Sequence, residues 1–326
     1  MVVNVNTKEG GREVERREEP QGEEEKTIEE KDSFYDTLCY VMRGDMMIKL
    51  PRDRITLNGW IRNYYQLNPI VRNVITAHSL MSIDNFSIGF FSNIKAQNDC
   101  ISELFNLGIA SFEENIGSKA KFTPGQKLYD ISREYWLIGE VFPVIENHVS
   151  ILNPDAVFVK NSKGREIQLR PDPYLRKMVF SNLKADVEET KKLSKGLVES
   201  IKNDNTVPID GVASQIMRVN SPYDVRGTSL IYPILKALVN YDEFLENDPG
   251  NIEGIKFYED KIFEGLLFKS DKIDLIFLEY SRFKHQLSKW IKKIIIEKGL
   301  QADVDVYWKE INTDKLKAVL GGSNGR

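Results

Sequence analysis

The fold class predicted by the sequence is α+β, with a β-rich middle followed by long helices, and three observations predict it. Residues 135–169 hold short runs rich in β-branched and aromatic side chains, broken by Asn153-Pro154-Asp155 and Asn161-Ser162-Lys163-Gly164. Residues 57–82 and 99–113 repeat apolar side chains near helical spacing. From residue 228 onward, three helical segments follow one another with only short breaks between them.

The elements are justified in order. Residues 1–32 carry six basic and eleven acidic side chains and little apolar content. Such a stretch buries too little surface to offset its ordering entropy, so a disordered acidic tail is expected. Residues 34–42 read as a short amphipathic anchor. In 57–82, Trp60, Ile61, Tyr64, Leu67, Val71, Val74, Ile75 and Met81 recur at helical spacing, and Pro69 kinks or divides the helix. Residues 84–91 alternate as a strand, and 99–113 return to a helical period. Residues 135–146 read as a strand, with Gly139 and Pro143 as bulge or edge positions. Short strands follow at 149–152, 156–160 and 166–169, then a lysine-rich helix at 184–203 and a strand at 212–219. Thr228 or Ser229 is placed to cap a helix reaching Glu246, with Pro233 in its first turn. Asp248-Pro249-Gly250 stops that helix. Further helices are expected at 255–267 and 274–298, the latter ended by Gly299. A strand follows at 303–308, then a loose end at 321–326.

Composition narrows the function classes. The 326 residues are 41% hydrophobic and 29% charged, enough for a sizeable core. Net charge is −4, but the acidic first 32 residues hold −5 of it and the remainder is nearly neutral, so no global basic footprint marks a nucleic-acid binder. There is neither a membrane-length apolar run nor the apolar core of a secretory signal, which points to a soluble intracellular protein with no membrane partner. The two cysteines, Cys39 and Cys100, sit in apolar patterns and are expected as buried free thiols of a reducing compartment.

Catalytic signatures are sparse. His78, His148 and His285 lie far apart without cysteine or histidine at ligand spacing, which excludes a structural zinc site. No phosphate-cradling P-loop, dinucleotide fingerprint or zinc-protease helix motif occurs. Asp155 with Glu166 approximates the strand-borne acidic pair of many nucleases, but Gln168 stands where a lysine should polarise the phosphate. The expectation is a protein without catalytic residues, metal or cofactor, working by shape and assembly.

The last long helix carries the strongest periodicity. Ile276, Tyr280, Phe283, Leu287, Trp290 and Ile294 form a heptad-like seam that implies helix packing within or between subunits. Arg282, Lys289, Lys292 and Lys293 fall on the opposite side. The simplest reading is a solvated face; the alternatives are a stripe for a phosphate backbone or a subunit contact. Lys269 and Lys272 lie in the short connection 268–272.

The string VNSPYDVRGTSLIYPILKALVNYDEFLE (219–246) resembles a signature of tailed-bacteriophage portal proteins, in which a strand leads through Arg-Gly-x-Ser into a helix; here Arg226, Gly227, Ser229 and Pro233 carry it. Gly227 suits a tight turn, and Ser229 suits a helix cap. Three further segments are similar to that family in the same order: RNYYQLNPIVRNVITAHSLM (62–81), EYWLIGEVFPVIENHVSILNPDAVFV (134–159) and the helices of 255–298, the last closest to portals of contractile-tailed phages. The resemblance spans roughly 57–312.

It implies a portal-like, ring-forming fold: an acidic tail at 1–32, a wing-like α+β domain at 33–227 and stem helices at 228–268. A tunnel-loop-like connection at 269–273 then leads to a long wing helix with a short strand and tail at 274–326. It implies a homo-oligomeric head-to-tail connector, twelve-fold in the family, at one capsid vertex of the virion, assembled in the host cytoplasm. Its channel would pass double-stranded DNA without sequence preference in packaging and ejection. Its partners would be itself, the major capsid protein, the terminase large subunit and neck or adaptor proteins. Lys269 and Lys272 would face DNA, and Phe283, Leu287, Trp290 and Ile294 would buttress the ring. The chain departs from the pattern in lacking most of the clip domain, since only residues 247–253 join the two stem helices. The competing reading is a non-catalytic adaptor or scaffold of a virion acting through the Trp290 seam.

Overall fold

A computed structural model describes residues 40–43, 46–49, 54–90, 94–145, 148–161, 165–169, 207–208, 212–218, 226–267, 273–299 and 304–310. The acidic tail, Cys39, the turn at 162–164, the helix expected at 184–203, Lys269, Lys272 and the end at 321–326 lie outside the described residues. What is described is α+β, with every strand pairing antiparallel.

Strands β1 (Tyr40–Arg43) and β2 (Met46–Lys49) form a hairpin. The reading of 34–42 as an amphipathic anchor is therefore corrected over its last three residues, because the strand is specified by a pairing partner downstream. Helices α1 (Arg54–Leu67) and α2 (Pro69–Ser82) are two helices rather than one kinked one. Pro69 sits at the start of α2, where its missing N–H has no partner to lose, and the Asn68 side chain caps it by accepting from Ile70 N and Val71 N at 3.0 and 3.1 Å.

A four-stranded sheet follows, ordered β13–β3–β5–β4, from β3 (Phe86–Phe90), β4 (Ala110–Ile116), β5 (Lys119–Pro124) and β13 (Val304–Trp308). Helix α3 (Ile94–Asn106) stops earlier than 99–113 suggested. Gly108 takes φ +68, which turns the chain into β4, so Ala110–Glu113 is strand and not helix. The β4–β5 hairpin turns at Gly117, φ +62. Because β13 pairs with β3 (Trp308 opposite Phe86, Val304 opposite Phe90), the end of the described chain closes the sheet begun near its start.

The larger correction is at residues 126–139. Helix α4 (Gln126–Ile138) buries Leu128, Ile131, Ser132, Tyr135 and Trp136, so Tyr135–Ile138 is its last turn and not the head of a strand. Gly139 is its left-handed C-cap at φ +91, and its N–H bonds Tyr135 O. Local β propensity there yields to the 3.6-residue stripe begun upstream. Strand β6 (Glu140–Ile145) is then wholly buried and pairs with β7 (Val149–Leu152), β11 (Val212–Ala213) and β12 (Ile216–Met217). Pro143 is tolerated in this central strand because it faces the break between β11 and β12, where its carbonyl accepts from Ser214 N and no amide is required. A third sheet joins β8 (Val157–Asn161), β9 (Arg165–Leu169) and β10 (Val207–Pro208).

A 3-10 turn, Tyr232–Ile234, leads into helix α5 (Leu235–Asn247), followed by α6 (Ile252–Leu267) and the 25-residue α7 (Ile273–Glu297). One continuous apolar core runs from Leu57 to Val304 and includes Trp136, Tyr135, Phe86, Phe122, Tyr280 and Trp290. The first two sheets and the helices thus share one interior, while Phe142, Val157 and Val159 form a small separate cluster at the third sheet. No helix among the described residues is long and apolar enough to cross a membrane.

Candidate functional site

Arg226, Gly227 and Ser229 form the joint between the β-rich part and the helices. Glu140 is the one acidic residue in an otherwise apolar strand, and it is completely buried; Arg226 is 2% exposed. Arg226 Nη2 and Nε reach Glu140 Oε1 at 2.6 and 2.9 Å, while Nη1 and Nη2 donate to the carbonyls of Val157 and Pro154 at 3.0 and 2.8 Å. Gly227 N adds a bond to Glu140 Oε2 at 2.9 Å. The guanidinium also lies 5.4 Å from the centre of the Phe142 ring. This pair is desolvated yet supplied with further hydrogen bonds, the condition under which a buried ion pair is tolerated.

The backbones of Gly227 and Gly139 meet so closely that a Cβ on either would overlap the other segment. Ser229 Oγ donates to Leu137 O and accepts from Ile231 N, and Pro233 is exposed in the turn that follows. The Arg-Gly-x-Ser motif is therefore an architectural clasp. Sequence reasoning missed its partner Glu140, although a lone carboxylate inside an apolar run was the available signal.

A residue on α2 joins the two helices that precede and follow residues 268–272. His78, fully buried, bonds Tyr280 Oη on α7 through Nδ1 at 2.7 Å and Leu266 O on α6 through Nε2 at 3.3 Å. Since the carbonyl only accepts, Nε2 carries the proton and Nδ1 accepts from Tyr280. The ring stacks on Trp136 at 4.7 Å, and burial pulls its pKa down to about 4. His78 thus staples together the two helices that flank the segment holding Lys269 and Lys272. Nearby, Tyr135 donates to Glu279 Oε1 at 2.6 Å, and Arg282 pairs with Glu279 at 2.9 Å. Burial raises the Glu279 pKa, opposed by the Tyr135 bond and by Arg218 and Arg282.

On α7 the seam residues Phe283, Leu287, Trp290 and Ile294 are all buried within this chain, with Phe283 4.5 Å from the Tyr135 ring. Three of the four basic residues opposite them are engaged internally. Arg282 also donates to Arg218 O at 2.8 Å, Lys292 pairs with Asp305 at 2.6 Å, and Lys293 reaches Ala213 O at 3.2 Å. Lys289 is exposed. Lys284, unforeseen because it sits beside the seam, is 9% exposed; it donates to Lys309 O at 3.0 Å, and burial lowers its pKa.

Of the acidic pair, the Glu166 side chain lies outside what is described. Asp155 accepts from Asn58 Nδ2, and Gln168 pairs within its sheet opposite Phe158 and Pro208. Cys100 is buried, and burial with Glu103 pushes its pKa to about 12. Among the described residues no three His, Cys, Asp or Glu side chains cluster as metal ligands. Gly321-Gly322-Ser323-Asn324-Gly325 has the G-x-S-x-G spacing of a hydrolase elbow but lies outside the described residues. No protein family matches this chain, and no curated protein matches it.

Proposed function

We infer that the chain is a portal-like ring subunit, a structural connector at a capsid vertex through which double-stranded DNA passes. The observation that carries the reading is element order. A β-rich unit enters two consecutive helices through the Arg226 clasp; a five-residue connection with two lysines follows; a long helix then returns to the first sheet through β13. On this reading the helix pair α5–α6 and the long α7 are the counterparts of the stem and wing helices that the resemblance implies, and His78, bonded to Leu266 and Tyr280, joins the helices on either side of residues 268–272. The protein acts without catalysis on this reading: a terminase drives the DNA, and the capsid protein and neck or adaptor proteins hold the ring.

The test is the native mass of the full chain by light scattering, with negative-stain images of the same material. Closed rings of about a dozen subunits, with a pore wide enough for duplex DNA, are expected. A monomer or dimer that forms no ring even with capsid protein present would overturn the reading in favour of the virion adaptor.

A further inference from the structure

Strand β4 lies at the edge of the four-stranded sheet. Among the described residues it pairs with β5 alone, so its outer side presents backbone N–H and C=O groups to solvent or to another strand. Beside that edge, α3 and β4 enclose a groove of about 370 Å³, walled by Ile101, Phe105, Ser111 and Phe112 among others. Its aromatic side chains are open: Phe105 is 63% exposed and Phe112 41%. Phe112 stands on the core face of the sheet, opposite Phe122, with the two rings 6.2 Å apart. Gln97 of α3 donates to Asn115 Oδ1 at 2.8 Å and holds the helix alongside the strand. The other face of β4 is charged, with Lys121 joined to Glu113 at 2.8 Å and to Glu114 at 3.2 Å. A strand that extends the sheet here therefore needs apolar side chains on one face, against Phe112 and Phe105, and polar or basic ones on the other. A second β4 fits poorly, because it sets Glu113 and Glu114 against their own copies.

One run outside the described residues has the required pattern. Residues 2–8, Val-Val-Asn-Val-Asn-Thr-Lys, alternate so that Val3, Val5 and Thr7 share one face while Val2, Asn4, Asn6 and Lys8 share the other. The run holds no acidic side chain, although the tail beyond it is strongly acidic. We propose that residues 2–8 dock on β4 of their own chain as a fifth strand of the sheet, with Val3 and Val5 in the α3–β4 groove. With Val5 beside Phe112, a strand parallel to β4 brings Lys8 alongside Glu114. The residues from Glu9 to Cys39 separate the run from β1. Extended, they span about 100 Å, against a diameter of about 50 Å for a folded body of this length, so the run reaches its own edge. The inference does not rest on ring formation.

Hydrogen exchange of the full chain, read by mass spectrometry, tests it. Residues 3–8 are expected to exchange about tenfold or more slowly than the same residues in a free peptide. Val3→Asp with Val5→Asp should abolish that protection and speed exchange in residues 111–116, with circular dichroism unchanged. Phe105→Ser, on the exposed side of the receiving helix, should weaken the protection from the other partner. If Phe105→Ser does not fold, Lys8→Glu, which is remote from the core, decides by the same measure. Residues 3–8 exchanging freely in the parent, or protection that survives the double valine variant, overturns the proposal. A fall in native mass on the double variant also overturns it, by assigning the run to the edge of a neighbouring copy.

Discussion

Arg226 is the residue on which most of the architecture converges, since it ties β6, the Pro154 turn and the start of β8 to the strand-to-helix joint. Removing it leaves Glu140 charged and buried, so Arg226→Ala is expected to destabilise the fold by about 3–5 kcal/mol, read from urea unfolding midpoints. Unfolding no easier than the parent's would contradict that role. His78 gives a pH dependence of definite sign. Its folded pKa, about 4, lies below its ordinary value of 6.5 through burial and the nearby Arg218 charge. The unfolded chain therefore binds the proton first, and stability present above pH 6.5 is lost as pH falls towards 4, by up to about 3 kcal/mol from this group. In His78→Phe the slope of unfolding free energy between pH 6.5 and 4 should flatten; an unchanged slope would assign the acid sensitivity to other groups. At this scale Arg226, Gly227 and Ser229 stand out in the sequence as a motif, but Glu140 and His78 do not. Their importance lies in partners 86 and 202 positions away.

Helix boundaries show which local signals suffice. At Pro69 the sequence leaves a kink or a division open, and the cap decides for a division: Asn68 accepts from the next two free amides, and Pro69 has none to lose. Asn68→Ala should cost about 1 kcal/mol, measurable by thermal or urea unfolding. The Asp248-Pro249-Gly250 stop is legible from sequence, but the start expected at Thr228 or Ser229 is corrected. Pro233 sits in a 3-10 turn, α5 begins only at Leu235 with no side-chain cap, and Ser229 bonds Leu137 O and Ile231 N instead. Residues 135–138 mislead, because Tyr, Trp and Ile favour strands in isolation, and only the stripe from Leu128 shows that they close a helix. The β4–β5 hairpin escapes for another reason: Ser111 to Ile116 are exposed on an edge strand and bear little of the apolar alternation that marks a half-buried one. On α7 both faces are readable as faces, but not their partners. Lys292 meets Asp305 and Lys293 meets Ala213 only because β13 and β11 are brought there by long-range pairing.

For the whole molecule, ring formation and DNA passage are read from element order, and the lysines of the 268–272 connection test them together. Lys269→Ala with Lys272→Ala should leave the native mass unchanged while weakening duplex binding and flattening its salt dependence, because each lost phosphate contact releases fewer counterions. Packaging and DNA retention at the parent's level would remove the connection from the proposed channel. By itself the sequence determined the α+β class, a break of some kind at Pro69, the helix stops at Asp248 and Gly299, and both faces of α7. These follow from backbone chemistry and periodicity within a few turns of chain. Only the tertiary structure decided that Glu140 receives Arg226, that His78 bridges α6 and α7, and that the Trp290 seam is buried inside one chain with its indole N–H unpaired. Those outcomes depend on which distant surfaces meet, and a side chain's own neighbours in sequence carry almost no record of that.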